Sequence, residues 1–160
     1  MKQVDLKSLK QFLLKANMPH ASGESNVSKE SDGSRSITFE DGDFSMHDNF
    51  FGGEPYGGRM VISHKNKPVW MMVYYGQVVA IDFEPDKVYG FLREALQHPP
   101  EGKPYRGPDS FRKHDMEYRN EVDGDADNYA GKEQILQKGE QIYWAVYHGG
   151  LIDQRAQGEM

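Results

Sequence analysis

Apolar side chains near the start of the chain recur at three- and four-residue intervals: Leu6, Leu9, Phe12, Leu13 and Ala16. That spacing predicts one buried face of an amphipathic helix, with Lys7, Lys10, Gln11 and Lys15 turned outward. Pro19 is expected to end it. Residues 20–36 then carry almost no apolar side chain, and their Ser, Gly, Asn and Asp content predicts a long loop. From Ile37 the period changes to two. Ile37 and Phe39 alternate with polar neighbours, residues 40–43 (EDGD) signal a turn, and residues 44–51, 59–64 and 68–75 predict further strands. A second amphipathic helix is expected over 85–98, with Pro85 in its first turn and Val88, Phe91, Leu92, Ala95 and Leu96 on its buried stripe. Strands over 111–121, 131–137 and 141–148 follow.

The pattern repeats. Shifted by 73 positions, residues 56–79 fall on 129–152 without a gap, and seven of the 24 pairs are identical: Tyr56/Tyr129, Gly58/Gly131, Ile62/Ile135, Lys65/Lys138, Val73/Val146, Tyr74/Tyr147 and Gly76/Gly149. This predicts an α+β fold made of two helix-plus-antiparallel-meander halves that share one antiparallel sheet, with both helices on one face. A single domain is expected over 1–160, its first half ending near 83, its second near 152, with a tail over 153–160. In residues 69–75, alternation assigns Val69, Met71, Val73 and Tyr75 to one face and Trp70, Met72 and Tyr74 to the other. The second copy divides into Ile142, Trp144, Val146 and His148 against Tyr143, Ala145 and Tyr147. Neither strand has a fully polar face, so both are expected to be central.

Charge and composition narrow the function classes. A net charge of −6 argues against nonspecific phosphate binding, so no direct nucleic-acid partner is expected. The chain has no cysteine, which removes disulfides, thiolate ligands and thiol nucleophiles. Its first 19 residues have spaced rather than continuous apolar positions, unlike a signal peptide or membrane span. A cytoplasmic protein with no membrane partner is the expectation.

Three successions of residues point to a family: Gly42-Asp43-Phe44, then GGEPYGG over 52–58, then KPVWMMVYYG over 67–76. PYRGP over 104–108 and YHGG over 147–150 add to them. Together they resemble an uncharacterised bacterial and archaeal domain family, in which the module stands alone or behind a helix-turn-helix segment. The resemblance implies a fold and an effector-binding or accessory role. It implies no catalytic residues, because no activity is established for that family. No helix-turn-helix pattern is read in these 160 residues.

Candidate chemistry is sparse. Asp123, Asp125 and Asp127 mimic the start of a calcium loop, but Asn128 stands where that loop needs glycine and Gln134 where it needs glutamate, which favours a turn. No metal site and no cofactor are expected. Six histidines, at 20, 47, 64, 98, 114 and 148, form no zinc-binding helical pair. His47-Asp48 and His114-Asp115 are adjacent in sequence, so on a strand they point to opposite faces. Arg106, framed by two prolines and a glycine, suits either a carboxylate or phosphate anchor or a pin between a loop and an acidic neighbour.

The leading expectation is a non-catalytic domain binding a small molecule or peptide through Trp70, Tyr74, Tyr75, Tyr143, Tyr147 and His148, with Arg106 as anchor. The alternatives are a small enzyme using His148 or His47 with a carboxylate such as Asp48, and a protein–protein module that docks or forms a homodimer through a sheet edge.

Overall fold

The protein, described here from a computed structural model, is defined over residues 4–22 and 27–154. Among the described residues it is α+β: two helices and one nine-stranded antiparallel sheet. Helix α1 (Leu6–Ser22) opens on Asp5, whose carboxylate accepts from the backbone N–H of Lys7 and Ser8 and so caps two orphan donors. It continues one turn beyond the expected stop at Pro19, because a proline in the last turn disrupts few internal bonds. Among the described residues no helix is long and apolar enough to cross a membrane.

The polar segment expected to be a loop is partly a hairpin. β1 (Ser28–Lys29) pairs with β2 (Arg35–Asp41), and the turn between them is closed by Glu30 N–H to Ser34 O at 2.8 Å. Residues 23–26 lie outside the described residues. β3 (Phe44–Gly52), β4 (Tyr56–His64) and β5 (Lys67–Val78) complete the first meander. α2 (Pro85–Leu96) crosses to β6 (Ser110–Lys113), β7 (Met116–Asp125), β8 (Asn128–Gln137) and β9 (Glu140–Leu151). The single strand expected over 111–121 is two strands. His114, with φ +56°, makes a tight turn with Asp115, a left-handed position that carries no glycine signal.

The strand order is β1-β2-β3-β4-β5-β9-β8-β7-β6, so β5 and β9 are neighbours at the centre, as two strands without a polar face require. In their register Tyr74 faces Tyr147, Gly76 faces Ala145, and Val73 faces His148. The simple alternation fails at one place in each strand. The pairing of β4 with β5 shifts between Ile62 and Ser63, and that of β8 with β9 between Ile135 and Leu136. These bulges leave Val69 and Ile142 as extra residues. Both are therefore buried next to Trp70 and Tyr143, rather than on the face of Met71 and Trp144. Beyond the bulges alternation holds: Met72 and Tyr74 are buried, Val73 and Tyr75 exposed.

Two apolar clusters fill the core. In one, Leu9, Phe12, Leu13 and Ala16 of α1 pack on Met46, Ile62, Trp70 and Met72. In the other, Val88, Phe91, Leu92 and Ala95 of α2 pack on Tyr118, Ile135 and Tyr143. The connection after α2 brings residues 104–108 into this core, where Tyr105 stacks on Tyr129 with ring centroids 4.5 Å apart.

Candidate functional site

The seven residues singled out from sequence divide between the two faces of the sheet. Tyr75 and His148 are on the exposed face, with Tyr75 6.1 Å from the Trp144 ring by centroids. His148 borders a shallow groove with Met71, Val73, Asp127 and Asn128. Trp70, Tyr74, Tyr143, Tyr147 and Arg106 are buried under the other face.

Most of the buried group is tightly engaged. Trp70 is fully buried, stacks on Tyr129 at 5.5 Å and donates from Nε1 to the Ala126 carbonyl at 2.9 Å. Tyr147 donates to Asn120 Oδ1 at 2.7 Å. Its ring lies over Gly131 so closely that a Cβ there would overlap it. Tyr143 donates to Glu133 Oε1 at 3.0 Å and shares a 2.5 Å hydroxyl–hydroxyl bond with Tyr56.

Glu133 and Arg106 organise the polar interior. Period-two alternation along β8 turns Tyr129, Gly131, Glu133 and Ile135 inward, so a carboxylate enters the core with no exposure. Arg106 meets it with two nitrogens, Nε to Oε2 at 3.3 Å and Nη2 to Oε1 at 2.5 Å. Nη2 also donates to the Tyr56 hydroxyl at 3.4 Å, and Tyr118 donates to Glu133 Oε2 at 2.6 Å. The loop carrying Arg106 is fixed on both sides. Asn17 of α1 donates to the Pro104 carbonyl at 2.5 Å, and Asn120 donates to the Gly107 carbonyl at 3.0 Å. Burial opposes the charge on Arg106, but the Glu133 carboxylate and the flanking phenols more than offset it and hold its pKa above the usual arginine value.

A small cavity of about 20 Å³ opens beside this arginine, room for roughly one water. It is lined by Asn17, Asp48, Met60, Met72, Tyr74, Leu96, Tyr105 and Arg106. Asp48 is fully buried and accepts from the Tyr74 hydroxyl at 2.6 Å. The Tyr74 ring also sits under the guanidinium, 5.8 Å from centroid to Cζ. Tyr74 and Arg106 are thus the two sequence-singled residues that border this space. Glu133, Tyr56, Tyr118 and Asn17 had not been picked out. The one available signal was Glu133, a charge at an inward position of an alternating strand.

His47 is half-buried on the opposite face from Asp48, and His114 sits in an exposed turn. The side chain of His20 lies outside the described residues. The calcium-loop resemblance resolves into the β7–β8 turn, where Asp125 pairs with Lys10 at 2.8 Å and accepts from Tyr105 at 3.0 Å.

The buried phenols carry a pH dependence. Desolvation raises the pKa of Tyr56, Tyr74, Tyr118, Tyr143 and Tyr147, and the Glu133 carboxylate raises Tyr118, Tyr143 and Tyr147 further. A folded-state pKa above the unfolded one gives stability that is complete below the unfolded value, about 10, and is lost as pH rises past it. Tyr118, Tyr143 and Tyr147 alone would cost about 4 kcal/mol per pH unit there. The expected result is one cooperative alkaline transition above pH ~10, in which tyrosinate absorbance at 295 nm and loss of the far-UV CD signal coincide. Early, graded ionisation with the CD signal intact would contradict these environments.

No curated protein and no solved structure matches the chain. A family model described as a domain of unknown function (DUF5680) matches residues 48–152, from the middle of β3 to just past β9. The matched stretch contains Asp48, Tyr74, Arg106 and Glu133 and spans more than half of the chain, which therefore belongs to the DUF5680 family, a domain of unknown function.

Proposed function

We propose that the protein is a non-catalytic domain that binds a small molecule, with its site at the cavity beside Arg106, Asp48 and Tyr74. The observation that carries this reading is that a fully buried carboxylate, Asp48, and a nearly buried guanidinium, Arg106, meet open space there. Buried ion pairs add little net stability compared with apolar packing, so their position at a cavity points to recognition. Relative to the sequence expectation, the contact set narrows to Tyr74 and Arg106 and gains Asp48 and Asn17. A thermal-shift screen against metabolites tests it: a specific ligand should raise the melting temperature in proportion to log concentration, and Tyr74→Phe should weaken that response. A ligand whose effect is untouched by Tyr74→Phe but abolished by His148→Ala would move the site to the exposed face.

The exposed face supports a second reading, a protein–protein module. Phe51, Val73, Tyr75 and Val146 are adjacent across β3, β4, β5 and β9 and are each about two-fifths to one-half exposed. Such an apolar stripe suits a partner or a second copy. The enzyme reading is weaker: among the described residues, no histidine side chain borders the cavity that holds Asp48.

The two halves are read here as copies with both helices on one face. In support, the bulges fall at Ile62 and Ile135, 73 apart, and two reciprocal bonds, Val79 N–H to Ile142 O and Ile152 N–H to Val69 O, are both 2.9 Å. Tyr74 bonds Asp48 as Tyr147 bonds Asn120. The register places Met72 and Tyr74, in the α1 cluster, on the same side as Tyr143 and Ala145, in the α2 cluster. A cytoplasmic location is part of the same proposal, and the lack of cysteine is compatible with a reducing compartment.

A further inference from the structure

We infer that the open face of the sheet packs against a second copy of this chain, about a twofold axis that runs along the strands between β5 and β9. This deepens the protein–protein reading above and rests on it. An antiparallel sheet with one solvated face turns polar side chains outward. The flank of this sheet obeys that rule, since β7 points Glu117, Arg119, Glu121 and Asp123 away from the helices. The two central strands break it. β5 turns out Met71, Val73 and Tyr75, and β9 turns out Trp144 and Val146. Gly57, which separates Phe51 from Tyr75 in the register, has no side chain to interrupt the patch. Outward residues of this kind belong to strands covered on both sides. Residues 1–3, 23–26 and 155–160, outside the described range, carry only two methionines and one alanine as apolar side chains, so these 160 residues do not supply the cover themselves.

Charge and shape select a second copy as that cover. One row across the open face reads Arg59, Val73, His148, Ala130 and Asp123, from β4 to β7. The next reads Phe51, Gly57, Tyr75, Val146, Lys132 and Glu121. A twofold between β5 and β9 lays each row on itself in reverse. Tyr75 then meets Val146 of the other copy. Arg59 lies over Ala130 and Lys132 over Gly57, so each long cation faces a residue with little or no side chain. Asp123 stands one strand, about 4.8 Å, beyond the place where Arg59 lands. Arg59 and Asp123 are both exposed, and among the described residues neither is in an ion pair. Sheets packed face to face cross at about −30°, which displaces the Arg59 and Ala130 positions by less than one strand spacing. Size agrees. The face over β3, β4, β5, β9 and β8 spans roughly 24 by 27 Å at ordinary strand spacing and rise, comparable with the ~800 Å² per partner of a standard interface.

Sedimentation equilibrium tests this. The unaltered protein is expected to be a dimer with a dissociation constant of about 1 μM or below, the range of standard-sized interfaces. Val146→Lys, at an exposed position beside the axis, should raise that constant about thirtyfold or more, as loss of a central contact does, with the CD spectrum unchanged. Arg59→Asp and Asp123→Arg should each weaken the dimer about tenfold. Combining the two should restore it to within a fewfold, because the ion pair is remade with its signs reversed. A monomer at about 100 μM, about a hundredfold above the expected constant, would overturn the inference while leaving the stripe to a different protein. A dimer indifferent to Val146→Lys would form elsewhere, and both the inference and the stripe as a docking surface would fall. A dimer broken by Val146→Lys but not recovered by the double charge exchange would overturn the twofold.

Discussion

Glu133→Ala is expected to lower the folding free energy by about 3–5 kcal/mol, a large share of the 5–15 kcal/mol typical of a domain. The substitution leaves the Arg106 guanidinium buried with its counter-charge gone, and it removes the acceptor of the Tyr118 and Tyr143 hydroxyls. Uncompensated charge dominates this loss, because the two phenols together account for only about 1–3 kcal/mol. Glu133→Gln should cost less, since it retains the shape and one acceptor oxygen. Pairing Glu133→Leu with Arg106→Met should recover part of the loss of either single change, because no charge then remains unpaired. Recovery would be incomplete while Tyr118 and Tyr143 still lack an acceptor. Urea unfolding at neutral pH measures the unaltered protein, each single variant and the double variant. A loss under about 1 kcal/mol for Glu133→Ala would mean that water reaches the pair, since exposed pairs have about that value.

Trp70→Ala is expected to have a similar effect, about 3–5 kcal/mol, for an apolar reason. Trp70 is the largest fully buried side chain, stacked against Tyr129 and Tyr105 and bonded to the Ala126 carbonyl in the β7–β8 turn. Its loss would leave a cavity and free that carbonyl, loosening the junction of the two meanders. Trp144→Ala provides the control. That residue is half-buried on the other face beside Tyr75, so its removal should cost clearly less. Equal losses for the two tryptophans would contradict the assignment of faces.

The two helices, the antiparallel strands and the central place of β5 and β9 were legible because each rests on local periodicity. Apolar positions three and four apart predicted the α1 face, and strands without a polar side predicted a central place. The bulges were not legible. Val69 and Ile142 look like any other β-branched strand residue, and only the register with β4 and β8 shows that each is supernumerary. The β6–β7 turn was missed because His114 holds a left-handed conformation without glycine.

The candidate site divides in the same way. Arg106 stood out by its rigid frame of prolines and glycine, and Tyr74 as an aromatic on a strand with no polar face. Glu133 drew no notice, since one carboxylate in an acidic sequence carries no mark of burial until β8 is aligned and its inward face known. By itself the sequence determined most of the elements, the α+β class and the family to which the chain belongs, because these depend on residues close in the chain. Only the tertiary structure decided which charges are buried. Asn17, Asp48, Arg106 and Glu133 come from four separate elements, and the electrostatics they share exists only once the sheet and the connecting loop bring them out of water.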